Sequence, residues 1–351
     1  MVKKKTRVLV VDDSAFMRKL ITNIVESDPE LEVIQTARDG VDALKAVHRL
    51  KPDVVTLDIE MPEIDGITAL VYIMEQFPTP VIMVTGLSTF LGEQTIKALE
   101  YGAVGFIQKP KGAVSANFKD LKKELIQQIK LAVRVDMKKL RPIKVGRAVE
   151  RVSKPVHKSS DKIIVIASSS GGPRALSQII PELPVGLAAG VVVIQHMPAA
   201  FIQSFANRLD WESVLDVKVA EDLEPVLQGK VLIMPADHHF RIVSERKNKQ
   251  LIELIPLSRE EKNRLISADE VMLSSAPIYG KNVVGVVLTG MGNDGTEGLK
   301  EIKKHGGYTI AEAESTAIVF GMSKAAIDAG VVDKIIPLPE IAKEIVKTVN
   351  S

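Results

Sequence analysis

Lys162–Leu176 reads KIIVIASSSGGPRAL, and this stretch decides the fold. Ile163, Ile164, Val165 and Ile166 form an unbroken apolar run of strand length, the pattern of a strand buried on both faces of a parallel sheet. Ser168, Ser169 and Ser170 follow, then Gly171 and Gly172, then Pro173, which suits a first helical turn because its missing N–H would be unpaired there anyway. Leu176, Ile179 and Ile180 continue at helical spacing. A hydroxyl on such a strand-to-helix turn meets free backbone N–H groups and the positive end of the helix dipole, both of which favour a developing negative charge. The same Gly-rich turn holds a bound phosphate with no reactive serine at all. On this stretch alone, nucleophile and phosphate cradle stand level.

The chain has 351 residues, 46% of them hydrophobic, which is more than one domain usually holds and predicts two. No run approaches the roughly 20 apolar residues of a membrane span. Asp12 cuts the apolar run Val8–Val11 too short for a signal peptide, so no membrane insertion and a cytoplasmic location are expected. The absence of cysteine excludes disulfides, thiolate metal sites and cysteine nucleophiles. A net charge of +2, with 26% charged residues, is too balanced to suggest a nucleic-acid or membrane partner.

From Arg7 onward, strand-like and helix-like segments alternate: VLVVDD, a helical pattern of Met17, Leu20, Ile21, Ile24 and Val25, then LEVIQTA. Asp53–Asp58, Val81–Thr85 and Gly105–Lys109 supply three more strands, which predicts a five-stranded doubly wound α/β sheet. The active crevice of such a sheet lies beyond the carboxyl ends of its strands, where Asp12 with Asp13, Asp58, Thr85 and Lys109 stand. Three carboxylates brought together repel one another unless they share a divalent cation, and oxygen ligands around an octahedral gap favour Mg²⁺. With Asp12, Asp13 and Asp58 around the metal, Asp58 is placed to attack a phosphoryl group while Mg²⁺ and Lys109 neutralise the transferring oxygens and Thr85 donates a hydrogen bond. Solvated acids capping helices are the plain alternative, and a poor account of a set at successive strand ends.

Asp12-Asp13, Asp58 followed by Met61-Pro62 and Asp65-Gly66, Thr85, Phe106 and Lys109-Pro110 closely resemble a two-component receiver domain. The resemblance implies phosphorylation of Asp58 by a histidine kinase, with Thr85, Phe106 and Lys109 at the switching positions and a surface that reports to an output domain. Residues 1–130 are read as the receiver, 131–161 as a linker and 162–351 as the output domain. The linker is basic, with Lys138, Lys139, Arg141, Lys144, Arg147, Arg151, Lys154 and Lys158, and charge repulsion predicts an extended tether. It lacks the aromatic platform or helix-turn-helix pattern that nucleic-acid binding would use.

In the output domain Val191–Ile194 is a second buried strand, ending in Gln195-His196-Met197-Pro198. His196 there is either a general base or a residue hydrogen-bonded to the backbone. Val231–Met234 is a third strand, followed by Pro235-Ala236-Asp237-His238-His239-Phe240. Zinc is not expected at the paired histidines, because neighbours in an extended segment point to opposite sides and no further ligand stands at the right spacing. Ile242, Val243, Leu251, Ile252 and Leu254 flank Lys247-Asn248-Lys249 and predict an exposed hairpin added to a mostly parallel, doubly wound sheet. Val283–Leu288 runs into Thr289-Gly290-Met291-Gly292-Asn293-Asp294-Gly295, where Met291 is placed to offer an amide to an oxyanion and Asp294 either orients an imidazole or caps the next helix. A sheet gathers its strand ends at one edge, so Ser, His and Asp can meet there despite their separation.

ASSSGG, QHMP and TGMGNDG together closely resemble the catalytic domain of the bacterial chemotaxis methylesterase, a response regulator of the same receiver, linker and output arrangement. The resemblance implies hydrolysis of glutamate γ-methyl esters on chemoreceptors, with release of methanol, and deamidation of receptor glutamines, both activated by phosphorylation. It makes Ser169 the nucleophile, His196 the base, Asp294 the orienting acid and Met291 an oxyanion-hole donor. The family's Ala-Ser-Thr-Gly-Gly has threonine where Ser170 stands, and Ser170 keeps the supporting hydroxyl without the β-branch. The family also has a histidine near His239, which is left without a role. A monomer is expected, with no cofactor in the catalytic domain. The alternative is a receiver-controlled module that binds phosphate or nucleotide at the SSSGG turn and does no chemistry.

Overall fold

The computed structural model describes residues 4–86, 89–110, 118–140, 158–245, 249–258 and 266–351. Residues 141–157, most of the basic linker, lie outside them, as do Lys247 and Asn248 of the hairpin turn. The chain divides into two compact units, Met1–Lys144 and Val145–Ser351.

In the first unit five β/α repeats follow one another: β1 (Thr6–Val11), α1 (Ala15–Glu26), β2 (Leu31–Ala37), α2 (Gly40–Leu50), β3 (Val54–Asp58), α3 (Gly66–Gln76), β4 (Val81–Thr85), α4 (Thr89–Glu100), β5 (Gly105–Gln108) and α5 (Phe118–Ala132). All pairings are parallel, in the order β2-β1-β3-β4-β5. The apolar runs that predicted strands are the buried centre, with β3 and β4 covered along their whole length. Helix entries are set by short polar side chains: Ser14, Asp39 and Asp65 accept hydrogen bonds from the N–H groups of Met17, Asp42 and Thr68. Gly66 is required at the start of α3, since a Cβ there would lie 1.9 Å from the Asp58 carbonyl oxygen. A 3₁₀ turn, Met137–Lys139, follows α5, and Val135 and Leu140 beside it are buried.

The second unit contains β6 (Ile163–Ser168), α6 (Gly172–Ile179), β7 (Gly190–Gln195), α7 (Ala199–Glu212), β8 (Asp216–Val219), β9 (Glu224–Pro225), β10 (Lys230–Ile233), β11 (His238–Glu245), β12 (Lys249–Pro256), α8 (Ala268–Tyr279), β13 (Val283–Val287), α9 (Thr296–Lys304), β14 (Tyr308–Glu312), α10 (Met322–Asp328), β15 (Lys334–Ile336) and α11 (Leu338–Asn350). Seven strands form one sheet in the order β15-β14-β13-β6-β7-β10-β8, with every pairing parallel. The chain fills one side of β6 first and returns through α8 to fill the other, so strand order reverses between β6 and β13. Ligands of open α/β sheets bind at such a reversal, beyond the carboxyl ends.

The β11–β12 hairpin forms where the sequence predicts it, but it does not extend the main sheet. It pairs with β9 in a separate three-stranded sheet, with Phe240, Ile242 and Ile252 turned into the core beneath α8. Three strands of the main sheet, β8, β14 and β15, had no signal strong enough to read. Two are short edge strands, and β14 carries Thr309 and Glu312 among its buried residues. No helix among the described residues is long and apolar enough to cross a membrane.

Candidate active sites

In the first unit β1 and β3 are neighbours where strand order reverses, and their carboxyl ends bring Asp12, Asp13 and Asp58 together. One oxygen from each carboxylate lies within 4.8 Å of the others. Asp12 and Asp58 are buried and Asp13 is exposed. Lys109, just beyond β5, reaches both buried acids, with Nζ 2.9 Å from Asp12 Oδ2 and 2.7 Å from Asp58 Oδ2. Burial lifts the Asp58 carboxyl to about 6, against the pull of the Lys109 ammonium and with the charge of Asp12 adding to the rise. Burial alone would lower Lys109, but the two carboxylates outweigh it and hold its pKa above the usual value. Thr85 ends β4 fully buried, its hydroxyl donating to the Gly86 carbonyl at 3.3 Å, and Phe106 lies half-buried on β5. An all-oxygen donor set with more negative charge than one ammonium can balance fits a small, hard divalent cation.

The second site is built on three adjacent strands, β13, β6 and β7. Ser169 is the first residue past β6, His196 the first past β7, and Asp294 lies in the loop from β13 to α9. His196 and Asp294 come from strands that flank the serine strand, and their side chains meet with Nε2 2.8 Å from Oδ2. Asp294 is tightly held: its carboxylate also accepts from Ser267 Oγ at 2.6 Å, Ala268 N at 2.7 Å, Asp269 N at 3.2 Å and Gly295 N at 3.1 Å. Burial would raise its pKa, but the bonds from His196, Ser267 and Ala268 outweigh that and hold it at about 2. An ionised Asp294 only accepts, so Nε2 carries a proton, and Nδ1 is the ring nitrogen not engaged by the acid. No hydrogen bond joins the Ser169 or Ser170 hydroxyl to the ring among the described residues. Catalytic hydrogen bonds commonly tighten only around substrate.

Ser169 is fixed through its backbone, its N–H donating to Thr289 O at 3.1 Å and its carbonyl accepting from Gly172 N at 2.8 Å. Ser170 is anchored likewise, its carbonyl accepting from Thr289 Oγ1 at 2.9 Å. The loop carrying Met291 packs directly on the serine: a Cβ on Gly290 would lie 2.7 Å from Ser169 Cβ. The Gly290 carbonyl accepts from Gly321 N and Met322 N at the start of α10. Across the same planar trans peptide, the Met291 N–H therefore points away from that helix. His238 and His239 bond separate carboxylates, Asp237 and Glu270, each at 2.7 Å.

Several residues at the site are not legible as such in the sequence. Gln195, Thr289 and Glu312 each give a faint signal as a polar residue closing an apolar strand. Glu312 is fully buried and accepts from Thr289 N at 2.8 Å. Ser267 gives none, because it stands far from Asp294 in sequence and belongs to another element.

Residues 164–345 match the CheB methylesterase family and residues 8–116 match the response regulator receiver domain. This chain belongs to the CheB methylesterase family. A Pyrococcus abyssi protein named protein-glutamate methylesterase/protein-glutamine glutaminase is 48% identical over 99% of this chain and 94% of its own length. A Thermotoga maritima protein of the same name is 44% identical, covering 98% of both chains. The crystal structure of the Thermotoga maritima CheB methylesterase catalytic domain is 42% identical and superposes with a TM-score of 0.51, covering 54% of this chain and 99% of that one. Membership of this family makes the second unit that of a hydrolase and the first that of a response regulator.

Proposed function

We propose that the second unit hydrolyses glutamate γ-methyl esters on chemoreceptors, and deamidates receptor glutamines, through Ser169, His196 and Asp294. The observation that carries this reading is the His196 Nε2–Asp294 Oδ2 bond of 2.8 Å, made between residues that follow the two strands flanking the serine strand. Asp294 holds the ring in the tautomer whose Nδ1 is the free base, the reverse of the commoner arrangement in which Nδ1 faces the acid. Nδ1 takes the Ser169 hydroxyl proton as Oγ bonds to the ester carbonyl carbon, and the carbonyl oxygen gains negative charge towards the Met291 N–H. The C–O bond to the methoxy group then breaks, and the imidazolium returns its proton so that methanol leaves. A water molecule, deprotonated by the same nitrogen, releases the glutamate and restores Ser169. Ammonia takes the place of methanol when the substrate is a glutamine. Ser170 contributes its carbonyl to the Thr289 anchor, and its hydroxyl is assigned a supporting role.

In the receiver, Asp58 takes a phosphoryl group from a histidine kinase, and this raises the esterase rate. Asp12, Asp13 and Asp58 would hold Mg²⁺, which when bound supplies charge neutralisation for the phosphoryl oxygens. Lys109 holds Asp58 in place and meets the phosphoryl oxygens, while Thr85 and Phe106 respond to them. The partners are then a kinase and cytoplasmic receptor domains, with no nucleic acid, and the chain works as a monomer. The domain limits are proposed at 1–130, 131–161 and 162–351, with α5 running on to Ala132 past the first of them.

The test is methanol release from a receptor fragment carrying γ-methyl glutamates, with Mg²⁺ and with or without acetyl phosphate, for the parent and Ser169→Ala. The parent should release methanol faster with phosphodonor, and Ser169→Ala should release essentially none. A parent that releases none under either condition, or a Ser169→Ala variant at the parent rate, overturns the reading.

A further inference from the structure

Gln195 closes β7 opposite Ser168, the last register pair of β6 and β7. Its side chain is 1% exposed, yet its carboxamide makes three hydrogen bonds. Oε1 accepts from Ser168 Oγ at 2.7 Å, and Nε2 donates to Ser169 O at 3.0 Å and to His196 O at 2.9 Å. The orientation of the amide is dictated by its partners, because two carbonyl oxygens can only accept and must face the NH₂. Both Nε2 hydrogens are thus spent on the main chain of the two residues read above as nucleophile and base. The sequence makes room for this: a Cβ on Gly172 would lie 2.0 Å from Gln195 Oε1, so only glycine admits the carboxamide at the start of α6.

We infer that Gln195 is a positioning residue for the hydrolysis, fixing the distance between Ser169 and His196 by bridging their carbonyls where the β-ladder between their strands ends. The inference rests on the triad reading and adds to it a part that touches neither substrate nor reacting atoms. The last ladder bond at this edge runs from His196 N to Ser168 O at 2.9 Å. Beyond it the chains diverge into α6 and α7, and the carboxamide bridges the gap. In this dry setting the bonds are strong, and losing them removes the donor to the His196 carbonyl and leaves the Ser169 carbonyl to Gly172 N. A small displacement of nucleophile from base acts on the chemical step and leaves substrate binding alone.

The experiment uses the full chain, the methylated receptor fragment, Mg²⁺ and acetyl phosphate, with thermal melting to establish folding. Gln195→Met keeps the length and removes the three bonds, and should lower kcat by about 10²-fold with KM held within about threefold. Gln195→Glu replaces the NH₂ by oxygen facing two carbonyls, and should lower kcat further at neutral pH. Protonation of that glutamate restores one donor, so its kcat relative to the parent should climb as pH falls, a change that a packing role would not produce. Parent-like kcat in Gln195→Met, a loss confined to KM, or a Gln195→Glu to parent ratio that is flat with pH overturns the inference. If Gln195→Glu does not fold, the kcat and KM of Gln195→Met decide. Ser169→Ala separates the two readings: parent-like turnover there removes the triad itself, whereas a dead Ser169→Ala beside parent-like Gln195 variants removes only the positioning role.

Discussion

Asp58 and Asp294 both stand at the carboxyl edge of a parallel sheet, where strand order reverses, and their surroundings push their pKa values in opposite directions. Asp58 is buried with one ammonium, a 3.4 Å bond from Glu60 N and a second carboxylate beside it, and burial wins, leaving it at about 6. Asp294 is also largely buried, but donors from His196, Ser267 and Ala268 surround it and bring it to about 2. Supply of hydrogen-bond donors, rather than depth, sets the outcome. The contrast suits the two roles. On the proposed reading, the carboxylate that accepts a phosphoryl group is left short of donors, while the one that orients the ring is supplied with several.

The comparison breaks most visibly at Ser169. Ser169→Ala should lower kcat for methyl-ester hydrolysis by about 10⁵–10⁶-fold, while phosphate uptake by Asp58, measured with radiolabelled acetyl phosphate, stays at the parent level. Loss of both activities together would mean that the substitution had unfolded the chain.

Asp294→Asn comes next. It keeps the shape but loses the acceptor that fixes the tautomer, and kcat should fall by about 10⁴-fold. Because the folded pKa of Asp294 lies below its ordinary 3.8, its contribution to stability is complete above about pH 4 and is lost as pH falls from there through about 2. The advantage of the parent over Asp294→Asn, followed by denaturant melts, should therefore shrink as pH falls from about 4 towards 2. An advantage that stays level over that fall would contradict a carboxyl held at about 2.

Asp58→Asn sharpens the other half. Esterase activity should no longer respond to acetyl phosphate, and the basal rate should remain. The folded pKa is raised here, so the native receiver holds its proton more tightly than the unfolded chain. Ionised Asp58 then costs stability as pH rises from about 4 through about 6, by about 3 kcal/mol in full. With EDTA present, Asp58→Asn should melt above the parent at pH 7.5 and level with it at pH 4, and Mg²⁺ should close the gap by stabilising the parent. An Asp58→Asn variant less stable than the metal-free parent at pH 7.5 would contradict the strained reading of this carboxylate.

Ser267→Ala is the finest probe. It removes one donor to Asp294 and leaves the N–H groups of Ala268, Asp269 and Gly295 in place. A bond to a charged group of this kind is worth about 1.5–3 kcal/mol, so kcat should fall by about 10- to 10²-fold at most, with Asp294 still ionised.

Local pattern determined much of this protein from its sequence. The apolar runs of β1, β3, β4, β6, β7 and β13 mark strands buried on both faces, and the residues that close them, Asp12, Asp58, Thr85, Ser169 and His196, are where a doubly wound sheet puts its chemistry. Strand period and strand end are properties of a few consecutive residues, so they survive without knowledge of the fold. Only the tertiary structure decided that the hairpin joins β9 instead of the main sheet, that Nε2 and not Nδ1 of His196 meets Asp294, and that Gln195 bridges the serine and histidine turns. It also decided which of the two aspartates is raised and which is lowered. These depend on donors and acceptors brought in from distant parts of the chain, such as Ser267 and Ala268 at the start of α8, and a hydrogen bond across the fold leaves no periodic trace in sequence.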